Sequence, residues 1–136
     1  MVRDFEYIIY KGKYFSVEWY YSEKGDSQAK DYYDKLTVSS QAKFLYLVER
    51  MSDHGKISNK KLFNNEGDGL FAFKPQPERF LTFFTKGKKL IITSAFRKKT
   101  KKLPNKEKTK ALKIKKSYED RTENGVYYGK NKNNIR

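Results

Sequence analysis

The stretch Gly69 to Pro104, GLFAFKPQPERFLTFFTKGKKLIITSAFRKKTKKLP, decides the fold. It reads as three short strands that carry a row of cations into a basic helix. Phe71 and Phe73, then Phe80, Thr82 and Phe84 against Leu81 and Phe83, follow the period of two that lets a sheet bury one face. Lys86-Gly87 supplies a tight turn into Lys89–Phe96, where Leu90, Ile92, Ser94 and Phe96 alternate with Ile91, Thr93 and Ala95. An antiparallel meander follows from these patterns. Lys74 and Arg79 stand at strand ends beside Pro75 and Pro77. Prolines lack a backbone donor and suit a sheet edge or connection, so the neighbouring charges are expected to face solvent or a ligand.

Downstream, Pro104 suits the first turn of a helix, where no donor is needed from that residue. Ala111, Ile114 or Lys115, and Tyr118 give that helix an inward stripe, and it is expected to end near Asp120. Residues 121–136, with Asn124-Gly125 and a final GKNKNNIR, read as a polar, flexible tail.

Upstream, Ser58–Asp68 reads as a loop with a short strand at Lys61–Asn64. Its Asn-Asn-Glu-Gly-Asp-Gly run resembles a flexible turn, and its oxygen-ligand spacing is incomplete for a calcium loop. Before it, Ala29, Tyr32, Tyr33 and Leu36 recur at helical spacing after the cap-like pair Gly25-Asp26. Thr37–Ser40 then provide a cap ahead of Phe44, Leu47, Val48 and Met51. The result is a helical hairpin closed by His54-Gly55, whose stripes pack on the sheet. Two further β-like runs, Phe5–Tyr10 and Tyr14–Tyr21, are separated by Lys11-Gly12. The first is expected to cover an edge strand.

The 136 residues fit one domain: a core of residues 1–120, of which 1–12 are an N-terminal extension, followed by the tail. Eleven Tyr and ten Phe let a small core bury much apolar area. The absence of cysteine excludes a disulfide scaffold and thiol catalysis, and suits a reducing compartment. No apolar run approaches a membrane span, and an N-terminus carrying Asp4 and Glu6 lacks a signal-peptide pattern, so the expected location is the cytoplasm, with no membrane partner.

The net charge of +15 points to polyanionic partners. From Arg97 to Lys116 there are eleven Lys or Arg against the single acid Glu107. The bland alternative is a solvated helix face in a lysine-rich chain, which would show the same count. One histidine and no cysteine leave a zinc site without ligands, and no nucleophile elbow accompanies His54. Paired acids are missing, because the acidic residues are expected in helices and loops away from the basic row.

What these residues can do is bind and cleave RNA. The substrate supplies its own nucleophile, the ribose 2′-hydroxyl, and its attack on phosphorus builds negative charge that Lys and Arg can stabilise. A lysine whose pKa is lowered by neighbouring cations could also act as general base, and Lys98, Lys99, Lys101 and Lys102 form such a crowd.

Leu62, Leu70-Phe71-x-Phe73-Lys74-Pro75, Arg79 and, above all, Phe96-x-Lys98-Lys99-Thr100-x-Lys102-x-Pro104-x-Lys106-Glu107 resemble the HigB-type toxins of the RelE/ParE superfamily. The likeness spans Ser27 to Asp120. It implies an α+β fold in which a helical hairpin and a C-terminal helix pack on a twisted, mainly antiparallel sheet of four to five strands. It implies the toxin of a type II toxin–antitoxin system, a messenger-RNA endoribonuclease acting with or without the ribosome and needing no metal or other cofactor, silenced by a helix-turn-helix antitoxin. Carried over, Lys74, Arg79 and Lys98 are the catalytic cations; Lys60, Lys99 and Lys102 bind the RNA backbone; and Phe96 either stacks on a base or fills the core. Many such toxins carry histidines where this chain has Ser94 and Ala95. A ParE-like gyrase inhibitor and a non-catalytic nucleic-acid binder are the alternatives.

Overall fold

The computed structural model describes residues 5–129. In chain order the elements are β1 (Ile8–Lys11), β2 (Ser16–Trp19), α1 (Gln28–Asp34), α2 (Val38–His54), β3 (Phe63–Gly67), β4 (Leu70–Phe73), β5 (Glu78–Thr85), β6 (Lys89–Arg97) and α3 (Asn105–Glu123). The strands form one sheet in the order β1-β2-β6-β5-β4-β3. The fold is therefore α+β, but the sheet has six strands and is mixed, which corrects the expected four to five. Among the described residues only β2 and β6 run parallel, with Ser16 opposite Lys89 and Trp19 opposite Ile92. The extra strand is β1, which pairs with β2 and covers its outer edge.

The helices start where short polar side chains satisfy free backbone donors. Ser27 caps α1 by accepting from the Lys30 amide, and Thr37 caps α2 by accepting from that of Ser40. Gly55 closes α2 in the left-handed region at φ 85°, returning its N–H to the Met51 carbonyl. On one face of the sheet, Phe44 of α2 stacks on Phe80 at 4.0 Å between ring centres and meets Trp19 and Phe73. On the other face, Tyr118 of α3 meets Phe83 edge-on at 5.5 Å.

Two contacts explain how the ends of the sheet are finished. Beyond Ile92, β6 has no β2 neighbour, and the side-chain amide of Gln28 takes the place of a strand. It accepts from the Ala95 N–H at 2.8 Å and donates to the Ala95 carbonyl at 2.9 Å. The β1–β2 turn meanwhile docks on the last turn of α2, where the Tyr14 and Phe15 amides both donate to the Ser52 carbonyl. Gly12 is required there, since a Cβ would lie 2.5 Å from Ser52 backbone.

The C-terminal segment differs from the expected tail. α3 continues past Asp120 to Glu123, and Tyr127 is buried, its hydroxyl accepting from the Tyr21 amide at 2.9 Å. Arg121 lies over the Tyr127 ring and donates to the Tyr21 carbonyl. The rest of that expected tail, residues 130–136, lies outside the described residues, as do residues 1–4 of the expected extension. Among the described residues no helix is long and apolar enough to cross a membrane.

Candidate functional site

Antiparallel pairing brings the end of β4, the start of β5 and the end of β6 to one edge of the meander. Phe73 lies opposite Phe80, and Arg79 opposite Phe96. Because side chains alternate across a strand, Lys74, Arg79, Phe96 and Lys98 project from one face of the sheet. That is also the α3 face, and the chain from Thr100 to Pro104, which leads into α3, forms the far wall of the resulting pocket.

Each cation is fixed by backbone contacts. The Lys74 amide donates to the Leu62 carbonyl at 2.8 Å, and the Lys98 amide donates to the Pro77 carbonyl at 2.9 Å. The β4–β5 connection, which contains a cis Gln76-Pro77 bond, is closed by the Glu78 amide donating to the Pro75 carbonyl. The Arg79 guanidinium is aimed by Gln76 Oε1 at 3.1 Å and by the Glu78 carbonyl at 2.9 Å. Glu78 itself points the other way and is buried, accepting from the Tyr32 hydroxyl of α1 and pairing with Arg97 at 3.4 Å. It anchors the strand that carries Arg79.

The pocket holds an acid that sequence patterning placed elsewhere. The run read as a flexible turn is the strand β3, and Glu66 is the extra residue of a bulge between Asn65, opposite Phe71, and Gly67, opposite Leu70. Bulges redirect a side chain, and this one turns Glu66 into the pocket, 3.8 Å from Lys74 Nζ. The expectation that acids lie away from the cations is therefore corrected. The turn proper is Asp68-Gly69, with Asp68 at φ 55°.

Burial pushes the Lys74 ammonium below the ordinary lysine range, and the Arg79 and Lys98 charges push the same way while Glu66 opposes them. Burial also lowers Arg79.

Of the residues expected to act, Lys74, Arg79, Lys98, Phe96 and Lys102 line this pocket together with Thr100, Lys101 and Leu103. Lys60 is exposed beside it, its carbonyl accepting from Lys74 Nζ at 3.3 Å. Lys99 turns away into a neighbouring groove with Gln28, Tyr32, Arg97 and Lys110. Phe96 is half-buried between the two, lining both, so filling the core and offering a ring edge are compatible. Ser94 and Ala95 are buried, and His54 sits by Asp53 and Arg50 at the far end of α2. Among the described residues no cluster of three or more His, Cys, Asp or Glu could hold a metal ion.

Two local features make the pocket suit an anion. α3 starts after Pro104, a pocket-lining residue, with no side-chain cap, so the positive end of its dipole lies beside the pocket wall. No ion pair engages Lys98, Lys99, Lys101 or Lys102 among the described residues, whereas Lys108, Lys110, Lys115 and Lys116 on α3 pair with Asp68, Glu107, Glu119 and Asp120. A family model described as phage derived protein Gp49-like (DUF891) matches residues 31–116, well over half of the chain. The chain belongs to the phage-derived Gp49-like family. This is a family of RelE-like, toxin-like proteins. The Gp49-like match contains every residue of the pocket and begins after β1 and β2. No curated protein matches the chain significantly.

Proposed function

We propose that this Gp49-like chain is the toxin of a type II toxin–antitoxin pair of the HigB kind, an endoribonuclease that cuts messenger RNA on the ribosome without a metal and is silenced by a helix-turn-helix antitoxin. The observation that carries the reading is the convergence of Lys74, Arg79 and Lys98 with Glu66 in one pocket. Three cations around an acid are what an in-line attack on an RNA phosphate needs. Glu66 takes the proton of the ribose 2′-hydroxyl as the 2′-oxygen bonds to phosphorus. Arg79 and Lys98 hold the non-bridging oxygens, on which negative charge grows. The bond from phosphorus to the 5′-oxygen breaks, and Lys74, a readier proton donor than a free lysine, protonates that oxygen. The products are a 2′,3′-cyclic phosphate and a 5′-hydroxyl, and the proton returns from Glu66 to Lys74 across the 3.8 Å that separates them. Lys60 and Lys102 guide the flanking backbone, while Lys99 follows RNA that passes over Phe96 into the neighbouring groove.

A second reading, binding of nucleic acid without cleavage, draws support from the lack of any histidine in the pocket. Purified protein incubated with translating ribosomes and chelator separates the two. Cleaved messenger with 5′-hydroxyl ends is expected, and intact messenger in the presence of bound protein would favour the second reading. In induced cells protein synthesis should fall before DNA synthesis; the reverse order would point to gyrase.

A further inference from the structure

We propose that the groove between α2 and the β4–β5 turn is the docking site of a neutralising protein segment, acidic and anchored by apolar side chains, which shuts the phosphate pocket through Lys74. This rests on the nuclease reading for its consequence but not for the binding itself. α2 lines the groove with the exposed Ala42, Lys43 and Tyr46 and with the buried Leu47, while Leu62 and Pro75 lie on its other side. The open groove has a volume of about 580 Å³, room for several side chains. Tyr46 is more than half exposed, and its hydroxyl accepts from Arg50 at 3.5 Å. Lys74 lines both this groove and the phosphate pocket.

Charge and chemistry choose the occupant. The rim carries Lys43 and Lys74, and Lys60 and Lys61 stand beside it, their carbonyls accepting from Lys74 Nζ and Gln76 Nε2. An acidic partner is attracted; a second copy of a chain with net charge +15 is repelled, and residues 130–136 carry only basic charges. RNA is also less suited. The floor is aliphatic, and the one amide that could read a base, Gln76, has its oxygen committed to Arg79 and its nitrogen to the Lys61 carbonyl. Apolar anchors with acidic flanks fit all of these features.

The test uses the full chain, immobilised, to select binders from a displayed library of random peptides, and a synthetic copy of the strongest binder as the labelled probe. The expected winners combine two or more apolar residues with acidic flanks. Their affinity falls about tenfold or more on Ala42→Arg and on Lys43→Glu, and they inhibit RNA cleavage by the unmodified protein but not by Ala42→Arg, which cleaves normally. Winners without acidic bias, or with equal affinity for Ala42→Arg, overturn the proposal. So does a solution dimer that Ala42→Arg dissolves, or a labelled oligouridine whose affinity falls as steeply as the peptide's. Should the protein cleave no RNA at all, peptide affinity still decides the groove, and the nuclease reading fails separately.

Discussion

At the scale of single residues, the pocket sets a function against stability. Lys74 is mostly covered, and its pKa is held below the usual lysine value of 10.5, chiefly by burial. A group whose folded pKa is depressed binds its proton less tightly in the fold than in the unfolded chain. Below that folded pKa Lys74 therefore costs stability, and the cost is relieved as pH rises toward 10.5. Lys74→Met is expected to abolish cleavage while leaving the melting temperature unchanged or raised by about 4 °C at neutral pH. In the proposed reaction the proton on Lys74 is used, so the alkaline limb of the rate profile should begin below the ordinary lysine range, and Lys74→Arg should move it upward. Glu66 gives a complementary expectation. Glu66→Gln should slow cleavage by about 10²-fold or more, with RNA bound as tightly or more tightly, since an acid leaves a cationic pocket. Equal loss of rate and affinity would remove Glu66 from proton transfer. Lys74 and Arg79 were legible in the sequence because prolines marked the strand ends that present them. Glu66 was not, because its orientation depends on a bulge in a run of Asn, Glu and Gly that carries none of the usual strand formers.

Elements show the same division between local and distant causes. The apolar runs around Phe71, Phe73 and Phe80–Phe84 revealed the strands of the meander. The expectation that one face is buried is corrected, since Phe80 packs under α2 and Phe83 under α3, and β5 is buried on both faces. The helical hairpin was legible from the Thr37 cap and the stripe of Phe44, Leu47, Val48 and Met51, whereas α1 is capped by Ser27 and not by the expected Gly25-Asp26 pair. The parallel pairing of β2 with β6 was not, because nothing in four residues of Ser-Val-Glu-Trp names a partner more than seventy positions away. Nor was the strand-like use of Gln28, a single side chain completing the edge of β6. The β1–β2 hairpin belongs to this class. Its amides cap the α2 C-terminus through the Ser52 carbonyl, and the Tyr10 hydroxyl donates to Asp53 at 2.7 Å. Gly12→Ala should therefore destabilise the protein by about 3 kcal/mol, read as a lower urea midpoint at constant slope. A change under about 0.5 kcal/mol would mean that the hairpin docks more loosely than these contacts require.

Across the whole molecule, the net charge of +15 is less a uniform coat than a gradient. Much of the charge on α3 is paired with acids, while among the described residues no ion pair engages Lys98, Lys99, Lys101 or Lys102. Affinity for single-stranded RNA should fall with salt at a logarithmic slope of about −3, the value for some four phosphate contacts, measured by anisotropy titrations. A slope near zero would contradict phosphate recognition. Surface binding and cleavage should also separate by position. The most direct measurement compares single-turnover cleavage rate and RNA affinity for Lys74→Met, Arg79→Met and Lys98→Met against Lys106→Met and Lys113→Met on α3. The account predicts that each pocket variant loses about 10²-fold or more in rate while its affinity changes by less than about tenfold, and that the α3 variants lose only affinity. Pocket and α3 variants indistinguishable in rate would contradict it.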